Sequence, residues 1–382
     1  MHLGRLLKTL LLFTIGSLIL SACGSTSSPS QTNENYEPNG KYSINPQFDD
    51  ASDFSEGLAA VKQGDKWGYI GVDGKFVVNP QFDEAYSFSD GIALVALGES
   101  EDKKWGFVDK TGHFILNPTF DDAWFFHENL VSVGLTSASK TKYGYVDKDG
   151  KYVINPQFDM TYGFSEGLAS FLSGDYETGK WGFIDKSGKQ LITAQFSTAS
   201  DFVNGLAVVS IKSTEKNKKV IKYGAIDKTG KYVVNPQFEE MGSYSSGLFP
   251  VKVKEKWGFI DKTGKYIVNP QYTTASAFSQ DLASVCTGTY KDGNGLNCGY
   301  INPKGTVVIQ LQFPSAGDFT NGTAVIGSGD VDENWQGRKY GFIDLKGKIV
   351  VNPQFESARS FRENLALVKF GSGDTAKYGY IS

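Results

Sequence analysis

Histidine, cysteine and methionine are nearly absent from this 382-residue chain, which has three of each. Outside the first 22 residues the only histidines are His113 and His127, and no cluster of histidine, cysteine and aspartate has metal-ligand spacing. The chain also lacks a glycine-rich phosphate loop followed by a helix, and it lacks a nucleophile elbow. We therefore expect no metal, no cofactor and no catalytic centre, and we expect both histidines to be solvated surface residues.

An excess of basic residues is also missing. The net charge is −4, and removal of the first 22 residues lowers it to −6, because Arg5 and Lys8 are lost. Without a basic face the protein is not expected to bind nucleic acid through its phosphates. What the chain does have is 44 glycines and 14% aromatic residues, which favours short strands and tight turns over disorder.

The chain has only one apolar run of note, from Leu10 to Leu20, and it is too short to span a bilayer. It follows Arg5 and Lys8, as the apolar part of an export signal follows a positive segment. The run ends in Leu20-Ser21-Ala22-Cys23, which resembles the lipobox of bacterial lipoproteins. The resemblance implies that Cys23 carries a lipid and becomes the mature N-terminus, so that residues 1–22 are a signal peptide.

Residues 23–39 are rich in serine, asparagine and glutamine and have no apolar periodicity. This composition predicts a flexible tether between a membrane and a folded body. We therefore expect an extracytoplasmic, lipid-anchored protein whose residues 40–382 form the body.

The body is a repeat, which becomes clear when its copies are aligned on the proline of the phrase Asn-Pro-Gln-Phe. An aromatic residue stands two residues after each of nine such anchors, and another stands eight residues after it. Eighteen aromatic residues in fixed register indicate shared core positions. The anchors are Pro46, Pro80, Pro118, Pro156, Ala194, Pro236, Pro270, Leu311 and Pro353.

Two further positions recur in every copy. Eleven residues after the anchor stands Gly, Asn or Asp, the types that tolerate positive φ, which predicts a backbone corner before a buried strand. An aromatic-glycine pair such as Trp67-Gly68 lies 13 residues before the next anchor, and a turn such as Asp109-Lys110-Thr111-Gly112 predicts a hairpin. The spacing between the backbone corner and the next aromatic-glycine pair varies from 10 to 18 residues, so all variation in length falls in one loop of the repeat. We expect these loops to share one edge of the array.

The phrase around these landmarks, as in Lys256-Trp257-Gly258-Phe259-Ile260-Asp261, resembles the WG-repeat family, also described as KWG repeats, of bacterial proteins. The resemblance covers about residues 40–382. It implies an all-β body of nine tandem β-hairpin repeats that serves for interaction, and it carries no catalytic residues. Ala194, Leu311 and Cys298 depart from the pattern in single copies.

The phase of the repeat bears on how the array ends. The body begins with one strand of a hairpin, Lys41 to Ile44, and ends with the opposite strand, Tyr378 to Ile381. The two halves can pair and remove the exposed strand edges, which favours a closed, propeller-like ring. An open superhelical β-solenoid is the alternative.

Cys286 and Cys298 are the only cysteines left once Cys23 is lipidated, and they occupy facing arms of one hairpin, at positions equivalent to Lys62 and Trp67. Directly opposed residues of two strands lie close enough for a disulfide, which an exported protein would keep. The sequence thus makes the two cysteines a disulfide candidate, and two reduced, buried cysteines are the alternative.

Two classes of function remain open at this stage, a binding protein and an enzyme, and a glycan-binding lectin lies between them. A non-catalytic binding or scaffold protein of the cell envelope, with a protein or a glycan as partner, fits a repeat array whose variable loops share an edge. A glycan-binding lectin would need exposed aromatic residues, for which Trp124, Trp335 and Tyr290 are off-pattern candidates. A propeller-type glycan hydrolase would need two carboxylates about 5–10 Å apart, and the sequence reveals no such pair.

Overall fold

The computed structural model describes residues 40–382 except 216–217, 292–293 and 333–336. These residues form antiparallel strands and two short 3-10 turns, at Ser100–Asp102 and Gly373–Thr375. The strands group into nine small sheets, one for each repeat, which we call blades 1 to 9. None of the described segments is a helix long and apolar enough to span a membrane.

Eight of the blades have four strands each, and blade 8 has three. The strands follow chain order across each sheet except in blade 9, where β1 lies beside β35. Blade 1 comprises β2 (Asp50–Ala51), β3 (Leu58–Gln63), β4 (Lys66–Gly71) and β5 (Phe76–Phe82). Blade 2 comprises β6 (Glu84–Ala85), β7 (Ala93–Leu97), β8 (Lys104–Val108) and β9 (Phe114–Phe120). Blade 3 comprises β10 (Asp122–Ala123), β11 (Val131–Ser137), β12 (Lys140–Val146) and β13 (Tyr152–Phe158). Blade 4 comprises β14 (Met160–Thr161), β15 (Leu168–Ser173), β16 (Lys180–Asp185) and β17 (Gln190–Phe196). Blade 5 comprises β18 (Thr198–Ala199), β19 (Leu206–Glu215), β20 (Lys218–Asp227) and β21 (Tyr232–Phe238). Blade 6 comprises β22 (Glu240–Met241), β23 (Leu248–Val253), β24 (Lys256–Asp261) and β25 (Tyr266–Tyr272). Blade 7 comprises β26 (Thr274–Ala275), β27 (Ala283–Lys291), β28 (Asn294–Ile301) and β29 (Val307–Phe313). Blade 8 comprises β30 (Thr323–Ser328), β31 (Lys339–Asp344) and β32 (Ile349–Phe355). Blade 9 comprises β33 (Ser357–Ala358), β34 (Ala366–Phe370), β35 (Lys377–Ile381) and β1 (Tyr42–Phe48).

Blade 9 joins the two ends of the body, which settles how the array ends. β1 pairs with β35 in antiparallel fashion, with Tyr42 opposite Ile381 and Phe48 opposite Tyr378. The Gly40 amide donates to the Ser382 carbonyl at 2.9 Å. The ring is therefore closed, as the split hairpin predicts, and the protein is a nine-bladed β-propeller rather than an open solenoid.

Neighbouring blades pack face to face through the aromatic residues of the repeat. All nine aromatic residues two positions after the anchor are buried, and so are eight of the nine at eight positions after it; Tyr244 is the half-buried exception. Tyr69 of blade 1, for example, lies 4.8 Å from Phe88 of blade 2 between ring centroids. The shared core positions inferred from the sequence are thus the contacts between blades.

The glycine of each aromatic-glycine pair allows the last strand of the blade to approach. A Cβ atom on Gly68 would lie 2.5 Å from the Val78 carbonyl oxygen and 2.7 Å from the Pro80 nitrogen. The ladder between β4 and β5 shifts register there, between the pairs of Trp67 with Phe82 and Tyr69 with Val78. The anchor proline lies in this bulge on an edge strand, where a missing N–H costs no ladder bond.

The predicted corner is a two-residue turn with positive φ at both positions. In blade 1, Ser55 and Leu58 exchange backbone hydrogen bonds across Glu56 (φ 56°) and Gly57 (φ 85°), as in a type I′ hairpin. The second position matches the sequence prediction in all nine repeats. The first position, filled by Glu, Asp, Asn, Ser or Gln, was not anticipated, because only Asn and Asp among these signal a left-handed backbone.

Because the strands are antiparallel, each blade sends its connections to two opposite faces of the ring. One face, the turn face, has the two-residue turns and the Asp-Lys-Thr-Gly type turns such as Asp109 to Gly112. The opposite face, the loop face, has the hairpins of variable length and the crossings from blade to blade, such as Asp83 between β5 and β6. The loops of variable length therefore share one face, as expected from their spacing.

Candidate functional site

On the turn face, polar side chains are used to hold neighbouring blades together. The Glu56 carboxylate of blade 1 accepts the Gly91 N–H of blade 2 at 2.9 Å and pairs with Lys110 at 3.2 Å. Glu363 of blade 9 accepts the N–H groups of Glu56 and Gly57 at 2.6 and 2.8 Å, which continues the series across the closure. Glu128 with Lys186 and Glu166 with Lys228 repeat the arrangement. These groups are engaged within the fold, so we regard the turn face as structural.

On the loop face, an aspartate in the blade crossing fixes the base of each of several hairpins. Asp83 accepts the Gly98 N–H at 2.9 Å and pairs with Lys66, the lysine that precedes Trp67. Asp159 does the same with the Gly174 N–H at 2.8 Å and with Lys142 at 2.6 Å. The lysine of the KWG phrase thus has a structural role, because its ion pair joins the start of the third strand of the blade to the crossing that leads to the next blade.

Above these bases the hairpins differ in height. Blade 6 has the shortest kind, in which only Lys254 and Glu255 separate β23 from β24. Its neighbours are tall: β19 and β20 of blade 5 have 10 residues each, and β27 and β28 of blade 7 have 9 and 8. The loop face therefore has a slot above blade 6 with a β-hairpin on either side.

The base of the blade 7 hairpin has the cysteine pair. Cys286 lies opposite Cys298 in the ladder between β27 and β28, the register inferred from the repeat. The structure joins them as a disulfide, with an S–S distance of 2.12 Å, and both residues are buried. The ladder shifts register between Gly288 and Lys291, which accommodates the odd loop length of this repeat.

Of the candidate aromatic residues, Trp124 is not an exposed loop residue. It is half-buried in blade 3, and its ring packs edge-on against Tyr162 of blade 4 at 5.6 Å. Its indole nitrogen is buried without a hydrogen-bond partner among the described residues. This position does not fit the expectation of an exposed lectin residue. Trp335 and the side chain of Tyr290 lie outside what the structure describes, and so does Cys23.

The prediction of solvated histidines holds for one of the two. The side chain of His113 is 86% exposed beside the turn aspartate Asp109. His127 is half-buried, and its ring fills the space left by Gly163 of blade 4, where an added Cβ would lie 2.4 Å from the ring. Burial lowers the pKa of His127. The prediction was wrong for His127 because its variable position lies in a contact between blades.

Three half-buried aspartates occupy one repeat position, seven residues after the anchor. Burial raises the pKa of Asp53 and of Asp318, and it raises the pKa of Asp201 to about 6. They belong to blades 1, 5 and 8, so they are not neighbours and do not form the carboxylate pair that glycoside hydrolysis requires. The described residues contain no group of three or more His, Cys, Asp or Glu placed to hold a metal ion.

Comparison with known proteins bears on the repeat and the fold. The model of the WG containing repeat matches nine segments, residues 36–67, 67–99, 105–134, 143–176, 181–213, 223–257, 257–288, 299–330 and 340–372. A search of curated proteins finds no match. Among solved structures, a eukaryotic initiation factor aligns with a TM-score of 0.57 at 10% identity, over 84% of this chain and 91% of that one.

Two peptidase structures also align, with lower scores. The acylaminoacyl peptidase of Pyrococcus horikoshii gives a TM-score of 0.39 at 11% identity, over 65% of this chain and 48% of that one. The β-propeller domain of the Trilobed protease from Pyrococcus furiosus gives 0.36 at 13% identity, over 72% and 99%. At such identity the likeness to the initiation factor concerns the fold alone, and the two peptidases carry no functional argument.

Proposed function

Since the chain belongs to the WG-repeat family, whose repeat here builds a closed nine-bladed propeller, we propose that it is a cell-envelope lipoprotein that acts as a non-catalytic binding or scaffold module. The loop face is the binding face. One observation carries the proposal: all variation in repeat length falls in the nine hairpins of this face, whereas the spacing of every other segment is constant. Variable loops on a rigid scaffold are the usual place for binding residues.

The place where the body begins determines how the proposed anchor would orient the ring. The described chain starts at Gly40 and Lys41, in the turn that leads into β1, and this turn belongs to the turn face. A tether of residues 23–39 that starts from a lipidated Cys23 would therefore join the membrane to the turn face. The loop face would then point away from the membrane, towards a partner in the envelope.

The anchor is tested by Cys23→Ser. We expect this variant to lose labelling by a radioactive or clickable palmitate and to leave the membrane fraction, whereas Ser21→Ala, which keeps a small residue before the cysteine, should be labelled like the parent. Labelling of Cys23→Ser at the level of the parent would contradict lipidation at this residue. The signal peptide and the lipid are tested together by the mass of the mature N-terminal peptide.

The binding face is tested with the soluble body, residues 40–382, immobilised and exposed to a washed cell-envelope fraction. The variant cuts the tall hairpins of blades 5 and 7 to two-residue turns of the blade 6 kind. The control replaces Lys75, which is exposed on the turn face, by Glu. We expect retention of envelope material by the parent and the control, and at least a tenfold loss in the trimmed variant. Equal retention by all three would place binding elsewhere.

A further inference from the structure

Three aromatic rings, a carboxylate and an ammonium group lie together on the loop face, over the core between blades 2 and 3. The rings are those of Tyr86, Trp105 and Phe125, which are all half-buried and pack against that core. Glu84 directly follows the crossing from blade 1, and Lys103 lies at the base of the blade 2 hairpin, so both charged residues belong to the loop face. We call these five residues the aromatic site.

The ammonium group of the aromatic site contacts both a carboxylate and a ring. Lys103 Nζ pairs with the Glu84 carboxylate and lies 5.8 Å from the centroid of the Trp105 ring, within the distance at which an aromatic face attracts a cation. The Tyr86 hydroxyl donates to the other oxygen of Glu84 at 3.4 Å. The Tyr86 ring lies 5.9 Å from the Trp105 ring and 5.3 Å, edge-on, from the Phe125 ring. The rings and the carboxylate are thus one connected group around a cation.

Carboxylates act on the aromatic site from both blades. Burial raises the pKa of Tyr86, and the carboxylates of Glu84 in blade 2 and Asp122 in blade 3 raise it further, so the hydroxyl stays protonated at neutral pH. Glu99 and Asp102 are exposed in the loop of the blade 2 hairpin. Negative charge at and near a site raises the local concentration of cations.

The lysines that flank the aromatic site have partners of their own. Lys66 pairs with Asp83, the residue before Glu84, and Lys104 pairs with Asp121. The blade 3 hairpin adds Lys140, which is exposed at its tip. Lys103 is therefore the lysine that occupies the aromatic site.

The aromatic site departs from the repeat at three positions. Among the nine copies, only Phe125 is aromatic seven residues after the anchor, and only Lys103 is a lysine two residues before the aromatic-glycine pair. Six residues after the anchor, Tyr86 stands where six of the copies have Ser, Gly or Arg. Trp67 and Trp257 lie in blades with serine or glycine at that position, so packing of the repeat tryptophan does not require an aromatic partner there.

Blade 4 has the same pair of rings without the charges. Tyr162 and Trp181 occupy the equivalent ring positions, whereas Met160 and Gly179 replace the glutamate and the lysine. The two rings of blade 4 stack with 6° between their planes and 5.0 Å between their centroids. In blade 2 the corresponding values are 40° and 5.9 Å, so the ring pair beside the ammonium is more open. Blade 4 therefore provides a matched control.

We propose that the aromatic site binds a quaternary ammonium group, which displaces the ammonium of Lys103. Aromatic faces attract such a cation, and it carries no N–H group that needs an acceptor among the rings. The ion pair between Lys103 and Glu84 lies at the surface, where such pairs are weak, so a ligand can compete with it. The site is separate from the hairpins of blades 5 and 7 and goes beyond the proposed function.

Calorimetric titration of the soluble body with choline tests the site, and 3,3-dimethylbutanol, which has the same shape without the charge, is the comparison. Lys103→Met should lower the Kd for choline by about fivefold or more, because the internal competitor is gone. Glu84→Gln should raise the Kd by about fivefold, because the carboxylate charge is lost. Lys75→Met, on the turn face, should leave the Kd of the parent unchanged.

The rings are tested by a matched pair of substitutions. Trp105→Leu should weaken choline binding by about tenfold, the loss expected for one cation–π contact, whereas Trp181→Leu in blade 4 should not. Thermal melting checks that both variants fold. Lys103→Met and Glu84→Gln change half-exposed side chains, so they test the site even if Trp105→Leu does not fold.

Several results would overturn the proposal. They are no binding of choline by Lys103→Met, equal binding of the neutral alcohol, or a Kd that Trp105→Leu leaves unchanged. Vesicles of phosphatidylcholine should not bind, because a headgroup packed in a bilayer does not reach half-buried rings, and vesicle binding would contradict a soluble ligand. The variant with trimmed hairpins in blades 5 and 7 should bind choline like the parent. Retention of envelope material without choline binding would therefore reject this site alone, and choline binding without retention would reject the proposed function alone.

Discussion

Glycine serves two different purposes in the repeat, and blade 6 has one example of each. At Gly247 the backbone has φ of +84° and an added Cβ would meet nothing within 4 Å, so glycine is used there for its conformation. At Gly258 an added Cβ would lie 2.5 Å from the Val268 carbonyl oxygen and 2.7 Å from the Pro270 nitrogen, so glycine is used there for space.

The two alanine substitutions should therefore differ in cost. Gly247→Ala is expected to lower the free energy of unfolding by about 1 kcal/mol, the cost of a left-handed alanine. Gly258→Ala should lower it by about 2–3 kcal/mol, because the obstructing atoms belong to the backbone and cannot rotate away. Urea denaturation of both variants measures the difference. Equal costs would contradict the close approach of β25 to β24.

A half-buried carboxylate links stability to pH in blade 5. Burial raises the pKa of Asp201 to about 6 from an ordinary value near 4. The folded state therefore favours the protonated acid, and the stability that this adds is fully present below about pH 4 and lost as the pH rises through about 6. At pH 7.5 the ionised form costs up to about 3 kcal/mol.

Asp201→Asn should remove this cost. We expect the variant to unfold at a higher urea concentration than the parent at pH 7.5, by about 1–3 kcal/mol, and to show little gain at pH 4. Asp65→Asn, at an exposed turn position, should change stability at neither pH. An Asp201→Asn gain that is the same at both values of pH would rule out the titration of this carboxyl as the cause.

At the residue scale the sequence predicts the backbone conformation of a residue better than it predicts the surroundings of its side chain. The nine positive-φ corners could be read from Gly, Asn and Asp, because only these types adopt a left-handed backbone readily. The residue before each corner could not, since glutamate, serine and glutamine give no such signal. His127 was misjudged for a related reason: its ring fills the gap at Gly163, which lies 36 positions later in the chain.

At the scale of the element, the variable hairpins lengthen in two ways. Blades 3 and 5 extend both strands, to 7 and 10 residues each, whereas blades 2, 4, 8 and 9 keep strands of 5 or 6 residues and have the added residues in the loop. Arms that grow by two keep every side chain on its face, so the spacing between corner and pair changes mostly in steps of four. Blade 7 is the exception, and its ladder shifts register near the tip. Loop lengths could be predicted from the sequence once the repeat was aligned, but hairpin heights could not, because a spacing of 18 residues gives strands of 10 residues in blade 5 and of 6 residues in blade 8. The side-chain pairs that pin the hairpin bases could not be predicted either.

The disulfide is the main cross-link of a tall hairpin. We expect the soluble body, isolated without reductant, to contain the Cys286–Cys298 bond and no free thiol by mass spectrometry. Replacement of both cysteines by serine should lower the free energy of unfolding by about 3 kcal/mol or less, because the closed loop is short. Free thiols at both positions would contradict the disulfide and would mean that the two cysteines are reduced, buried residues.

At the scale of the whole molecule, closure of the ring gives the repeats their two faces. The paired end strands keep the turns on one side and the loops on the other, and no strand at either end is left without a partner. The split hairpin at residues 41–44 and 378–381 predicted this closure, because each half lacks the partner that the other supplies. Aromatic contacts such as Phe54 with Tyr380, at 4.8 Å, continue the packing across the joint.

The most direct test of the account joins the two ends of the chain covalently. Tyr42 lies opposite Ile381 in the closing ladder, so the soluble body with Tyr42→Cys and Ile381→Cys should form an intramolecular disulfide in dilute solution. The control pairs Tyr42→Cys with Tyr152→Cys, the equivalent position in blade 3. A monomer whose linked peptides contain residues 42 and 381, with no such link in the control, is the predicted result. Free thiols at both positions, or links only between molecules, would contradict the closed ring.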